Sequence, residues 1–345
     1  MINRRDFTRI TTAAVALAGT NLLAHTVTSP SAIIRPRRLK EGDTVGLVLP
    51  ASMSFEPDGI QLAKEQLEAM GFVVKLGKHV FDRHGYFGGK DQDRAADINR
   101  MFADDSVDGI FCFTGGWGSP RVLPHLDYEM IRRNPKVLIG FSDITALINT
   151  IHQKTGLVTF HGPVAASRIE PWTLENFRRV VMEAGPAGTL TNPPKREGDL
   201  VNRDYRTVTI TGGKARGRIV GGNLTLIAAT MGTPYEIDTT GALLFLEDVR
   251  EEMYRVDRML SQLYLAGKFE KAAGFVFGRC SDCPVNGPSF SLHELLVERF
   301  GASGVPAISG FAFGHIEKKL TLPIGVSAAL DADAGTVTID ESAVV

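Results

Sequence analysis

The chain has 345 residues, 43% of them apolar and 22% charged, with a formal net charge of -1. These values are ordinary for a soluble globular protein and leave room for two domains, each with its own core. They give no basic footprint for nucleic acid, and no apolar stretch after the N-terminus is long enough to span a membrane.

Asn3-Arg4-Arg5-Asp6-Phe7-Thr8-Arg9 precedes a mildly apolar segment, Ile10 to Ala24, that contains no acidic residue. Paired arginines ahead of a short apolar run have the form of a twin-arginine export signal. Residues 1–32 are therefore expected to be a signal peptide, and the folded part to work in the periplasm. Of three cysteines, Cys112 reads as a small core residue. Cys280 and Cys283 form a lone Cys-x-x-Cys, a weak zinc signal with no histidine beside it, and an available disulfide in an oxidising compartment.

From Asp43 the chain alternates strands and helices. Asp43 to Leu49 reads as a strand, Ile60 to Met70 as a helix stopped by Gly71, and Phe72 to Leu76 as a second strand. A helix from Asp91 through Phe102 leads to a third strand, Gly109 to Phe113. A helical pattern runs from Val122 to about Arg133, and Val137 to Gly140 is a fourth strand. Ser142 to Leu147 opens another helix, and Leu157 to Phe160 is a fifth strand. This order predicts a parallel, doubly wound α/β sheet over residues 33–185, with the strand ends at Pro50, Thr114, Phe141 and His161 along one edge. Residues 186–207 read as a linker rich in turn formers. Residues 208–345 read as a β-rich α+β domain with a partly closed sheet.

Gly115-Gly116-Trp117-Gly118-Ser119-Pro120-Arg121 stands where the third strand gives way to a helix, the place where α/β proteins bind ligands. A serine at a helix start sits beside free backbone N–H groups, which suits a nucleophile whose reaction passes through an oxyanion. Ser119 is equally well read as an N-cap with Pro120 at the first helical position. A nucleophilic serine needs a base, and the base needs an acceptor to orient it. Seven histidines follow residue 32: His79, His84, His125, His152, His161, His293 and His315. His125 and His152 fall in helical patterns, whereas His161 and His315 both end apolar runs, and residue chemistry does not choose between these two. Glu247 leaves the hydrophobic run Leu243 to Leu246 directly and is the best placed acceptor.

Gly85-Tyr86-Phe87-Gly88-Gly89, the run Gly115 to Asp127, and Asn134 to Asp143 with its Gly-Phe-Ser-Asp together resemble the LD-carboxypeptidase family of serine peptidases. The likeness continues through Thr159 to Pro163, Gly221 to Leu224, Gly232 to Tyr235, Leu246 to Val249 and Tyr254 to Arg258, and spans nearly everything from Leu39 onward. It implies a Ser-Glu-His triad on Ser119, Glu247 and His315, with Gly89, Gly116, Trp117 and Asp143 at the oxyanion and substrate sites. Pro120, next to Ser119, has no N–H to give an oxyanion. The resemblance further implies an N-terminal Rossmann-like domain with the serine, a C-terminal domain with the other two residues, a homodimer, and no metal or organic cofactor. The expected activity is hydrolysis of an L-D peptide bond, releasing a terminal D-amino acid from a muropeptide. The alternatives are a microcin-type amidase acting on a peptidyl-nucleotide and a non-catalytic periplasmic peptide-binding protein.

Overall fold

The computed structural model describes residues 32–345; residues 1–31, on which the export-signal reading falls, lie outside the described residues. No helix among the described residues is long and apolar enough to cross a membrane.

The first half builds as its apolar runs dictate. β1 (Thr44–Val48), α1 (Gly59–Ala69), β2 (Val73–Leu76), α2 (Asp91–Ala103) and β3 (Gly109–Cys112) follow in order, then α3 (Tyr128–Arg133), β4 (Val137–Gly140), α4 (Thr145–Thr155) and β5 (Thr159–His161). β1 pairs in parallel with both β2 and β3, β3 with β4, and β4 with β5. The resulting order β2-β1-β3-β4-β5 reverses direction between β1 and β3, the switch point that opens a crevice at the strands' carboxyl ends. β3 and β4 are buried at every residue, as continuous apolar runs in a parallel sheet must be.

One expected helix differs. The chain from Ser119 to His125 is a 3-10 helix, and an α-helix starts only at Tyr128, capped by Asp127. Pro124 inside the segment has no N–H and blocks an α-helical turn, so the shorter helix type takes its place.

The second half departs from expectation at its edges. α5 (Pro171–Val181), started by the Glu170 side chain on Trp172 and Thr173, precedes β6 (Pro186–Leu190). β6 lies inside the stretch expected as a linker, yet it pairs with the C-terminal strand and buries Ala187 and Leu190 between its turn-forming residues. β7 (Val208–Thr211), β8 (Lys214–Asn223), α6 (Leu224–Ala229), β9 (Ala242–Val249), α7 (Met253–Leu265), α8 (Lys268–Lys271) and β10 (Gly274–Ser281) follow. The chain closes with α9 (Leu292–Gly301), β11 (Ala307–Ser309), β12 (Leu322–Ile324), β13 (Ser327–Asp331) and β14 (Thr336–Ser342). Eight strands form one mixed sheet in the order β6-β14-β13-β8-β9-β10-β11-β7, open at β6 and β7 rather than partly closed. β12 leaves it to pair antiparallel with β5, which ties the second half into the first sheet.

β9 shows how the halves share a core. Leu243 and Phe245 point into the cluster that also holds β1, β3 and β4, while Leu244 and Leu246 point into a second cluster with Phe275, Phe277 and Phe300. Side chains alternate along a strand, so Glu247 continues on the first face and Asp248 on the second. Both acids are thereby carried, buried, to the carboxyl end of the sheet, facing the crevice of the first domain.

Candidate active site

β4 ends at Gly140, and Ser142 follows in a left-handed backbone conformation, φ 62°, at the start of the 3-10 turn that leads into α4. A positive φ is costly for a residue with a side chain and persists where the surroundings enforce it. This strand, sharp turn and helix aim the serine hydroxyl outward from the sheet edge, as in a nucleophile elbow.

His315 meets it. Its Nε2 stands 2.9 Å from Ser142 Oγ, and its Nδ1 stands 2.7 Å from Glu247 Oε2. Glu247 is fully buried, and Asn223 Nδ2 donates to its other oxygen at 3.3 Å. Burial pushes the Glu247 pKa up, but the hydrogen bond and charge of His315 outweigh it and hold the carboxyl below its ordinary value. Gly314 makes the approach feasible: its φ is +97°, and a Cβ there would stand 2.4 Å from Glu247 Oε2. Phe141 packs its ring against the His315 imidazole at 4.9 Å.

Ser119 does not reach His315, which corrects the expectation placed on it. It is fully buried, its N–H donates to the Asp143 carboxylate at 2.6 Å, and its hydroxyl donates to the Asp143 carbonyl. Its glycine-rich approach bends the chain inward, so the side chain faces the turn of Ser142 instead of the cleft. Asp143 is held by Ser119; burial outweighs those hydrogen bonds and raises its carboxyl pKa. Gly89 has a φ of +117°, and a Cβ there would stand 3.2 Å from Asp82 Cβ and 3.8 Å from Arg94 Cγ, so the loop before α2 runs close to both side chains. Arg94, buried to 1% exposure, pairs with Asp91 and donates to the carbonyls of Pro50 and Gly118.

His161, the other candidate base, lies 5.6 Å from Phe313 and 6.0 Å from Phe141, ring to ring, and neither of its nitrogens finds a hydrogen-bond partner among the described residues. Burial pushes its pKa down to about 4. His152 is buried too, with Nδ1 3.0 Å from the Leu157 carbonyl oxygen.

Ser142 opens on a cleft of about 880 Å³ whose walls include Gly116, Trp117, Asp143, Asn223 and Glu251. Trp117, 57% exposed, meets Phe55 and Tyr86 edge-on at 6.4 and 6.1 Å and forms an aromatic rim. Asp248, on the other face of β9, accepts from the Thr225 N–H and hydroxyl at the start of α6; burial and the neighbouring Glu247 charge raise its pKa to about 6. Cys280 and Cys283 are joined as a disulfide, and Cys283 Sγ accepts from the Glu251 N–H at 3.5 Å. His79, Asp82 and Asp93 group metal-type donors elsewhere, with His79 Nδ1 at 2.7 Å from Asp82.

A hydroxyl against an imidazole that is backed by a buried carboxylate, in a cleft between two α/β layers, defines a serine hydrolase. The LD-carboxypeptidase N-terminal domain model matches residues 45–162 and the C-terminal domain model residues 216–330. The chain belongs to the LD-carboxypeptidase family and is a serine-type carboxypeptidase. It is 41% identical over 313 residues to a probable murein peptide carboxypeptidase of Bacillus subtilis, covering 89% of this chain and 94% of that one. It is 31% identical to a murein tetrapeptide carboxypeptidase of Pseudomonas aeruginosa, covering 83% and 92%. Among solved structures, the microcin self-immunity protein MccF with aspartyl sulfamoyl adenosine superposes with a TM-score of 0.83 at 29% identity, over 90% of this chain and 100% of that one. Muramoyltetrapeptide carboxypeptidase from Oxalobacter formigenes gives 0.74 at 28%, over 87% and 98%.

The sequence reading missed Ser142 and took its neighbour Asp143 only as a binding residue. The signal was present: Gly140 closes an all-buried strand and Ser142, two residues on, opens a helix.

Proposed function

We propose that Ser142 is the nucleophile, His315 the general base and then acid, and Glu247 the acceptor that fixes the imidazole tautomer. The observation that carries this is His315 lying within hydrogen-bond distance of both Ser142 and Glu247. Ser142 Oγ attacks the scissile carbonyl carbon and its proton passes to His315 Nε2. The tetrahedral intermediate then collapses as His315 protonates the leaving amine, and water releases the acyl group by the reverse sequence. The oxyanion takes the N–H of Asp143, the residue after the nucleophile, and the N–H of Gly116. The Gly115 carbonyl accepts from both the N–H and hydroxyl of Ser52, so in a trans peptide the Gly116 N–H is turned the opposite way. Because Asp143 has the N–H that Pro120 lacks, the ground for a non-catalytic peptide-binding protein falls away.

The substrate is a murein-derived tetrapeptide, cleaved at its L-D bond to release D-Ala; the family and the names of its relatives support this. The twin-arginine stretch supports action outside the cytoplasm, and the family supports a homodimer. The exposed rings of the rim and the likeness to MccF favour, as a second reading, an amidase acting on a peptidyl-nucleotide. Incubating the protein with a defined murein tetrapeptide and with an aminoacyl sulfamoyl adenosine, then reading product masses, decides between them. D-Ala loss from the first, abolished by Ser142→Ala, is the expected result. No product from the tetrapeptide refutes it.

A further inference from the structure

A carboxypeptidase must recognise the free carboxylate of the substrate's last residue, and a cation near the nucleophile is the ordinary means. The cations around the cleft are mostly committed. Arg121 pairs with Asp91 at 2.8 Å, Arg94 is spent on the same carboxylate, and Arg255 leans on Glu251 at 3.9 Å.

Lys319 is different. It is 7% exposed, and among the described residues no carboxylate lies within ion-pair distance of its Nζ. Its ammonium stands 5.0 Å from the centre of the Phe141 ring, the same ring that packs at 4.9 Å on His315. Its backbone is pinned by an N–H donated to Thr173 Oγ1. The charged groups that act on it are Glu247, Glu170 and Glu317, and each is engaged elsewhere: Glu247 with His315, Glu170 with the start of α5, Glu317 with Arg168 at 3.9 Å. A nearly buried ammonium without a counter-ion is costly, and burial lowers its pKa accordingly.

We propose that Lys319 is the anchor for the α-carboxylate of the substrate's terminal residue. The attacked carbonyl carbon belongs to the residue before the terminal one and is separated from the terminal carboxylate carbon only by N and Cα, no more than about 4 Å, so a carboxylate beside Phe141 is within reach of a carbonyl at Ser142, the next residue in the chain. Binding supplies the missing counter-charge. The aromatic ring below holds the ammonium in place meanwhile, an arrangement that favours cations. The inference rests on the carboxypeptidase reading with Ser142 as nucleophile.

The test compares a tetrapeptide ending in D-Ala with its C-terminal carboxamide. The wild type is expected to prefer the free acid. Lys319→Met lowers kcat/KM for the acid by about 10- to 100-fold, the worth of a hydrogen bond to a charged group, and leaves the amide unchanged. Lys319→Arg restores part of the preference. A measurement on the wild type alone supports the variants: D-alanine inhibits and D-alaninamide does not. Equal losses on both substrates, or an acid preference that survives in Lys319→Met, overturn the assignment. Failure of the wild type to cleave either one overturns the carboxypeptidase reading and this proposal with it.

Discussion

Ser119 grips Asp143 twice, by a main-chain N–H on its carboxylate and a hydroxyl on its carbonyl, and Asp143 is the residue that directly follows Ser142. The glycine-rich turn after β3 thus sets the backbone of the turn after β4. This separates the two serines experimentally. Ser142→Ala is expected to abolish hydrolysis, a loss of about 10⁴-fold or more. Ser119→Ala keeps the main-chain bond and loses one buried hydroxyl donor, about 1 kcal/mol of stability, with activity down by no more than about tenfold. Steady-state rates and urea midpoints on both variants check this. A dead Ser119→Ala beside an active Ser142→Ala would reverse the assignment.

Glu247→Gln is the corresponding test of the acceptor. Glutamine fits the same buried volume and keeps a partner for Asn223, but its amide N–H₂ facing Nδ1 favours the imidazole tautomer that leaves Nε2 protonated. Such a base cannot take the serine proton, and kcat is expected to drop by about 10³- to 10⁴-fold with KM little changed. A drop confined to KM would sink the idea that Glu247 acts through His315.

Much of this was legible in the sequence, for identifiable reasons. The all-apolar runs at Ile110, Leu138 and Leu243 are what a parallel sheet buried on both faces requires, so the α/β order and the carboxylate leaving β9 could be read directly. What sequence could not show is the side to which a turn points. Gly115 to Ser119 has every local mark of a ligand-binding turn, yet its serine faces inward because Asp143 accepts both of its donors, a contact between residues 24 apart. β6 was hidden for a similar reason: its partner β14 is supplied by the C-terminus. Lys319 is unremarkable in a Lys-Lys pair until Phe141 and His315 are placed beside it.

His161 gives a stability signature that separates it from His315. Its folded pKa is pushed down to about 4, while the unfolded chain takes up the proton near the ordinary 6.5. Between those values the unfolded state binds more protons, so stability falls as pH drops from 6.5 towards 4. Asp248, raised to about 6, works the other way over part of this window, and His152, also near 4, adds to the loss; both are common to wild type and variant. His161→Phe replaces a ring that has no hydrogen-bond partner among the described residues by one of similar shape. The variant's urea midpoint is expected to fall less than the wild type's between pH 7 and 5, with hydrolysis at pH 7 within a few-fold. Parallel pH curves would contradict the burial argument, and loss of activity would restore His161 as a candidate base.

Gly115 has an ordinary backbone conformation, so its lack of a side chain answers to space alone. A Cβ there would stand 2.8 Å from Ser142 Cβ, 2.9 Å from its hydroxyl and 3.2 Å from the Asp143 nitrogen. None of these is the far end of a flexible side chain, and the Ser142 turn, already at φ 62°, has little room to yield. Gly115→Ala is expected to cost about 1–3 kcal/mol from overpacking. Its effect on kcat is larger, about 10²-fold, because the displaced atoms are the nucleophile and an oxyanion donor. Gly301→Ala, at the end of α9 where a Cβ would meet nothing within 4 Å, is the control: it should leave the rate unchanged and the stability no lower than the wild type's. A Gly115→Ala enzyme that loses stability but keeps its rate would show that the β3 turn does not border the reacting atoms, and would remove Gly116 from the oxyanion site.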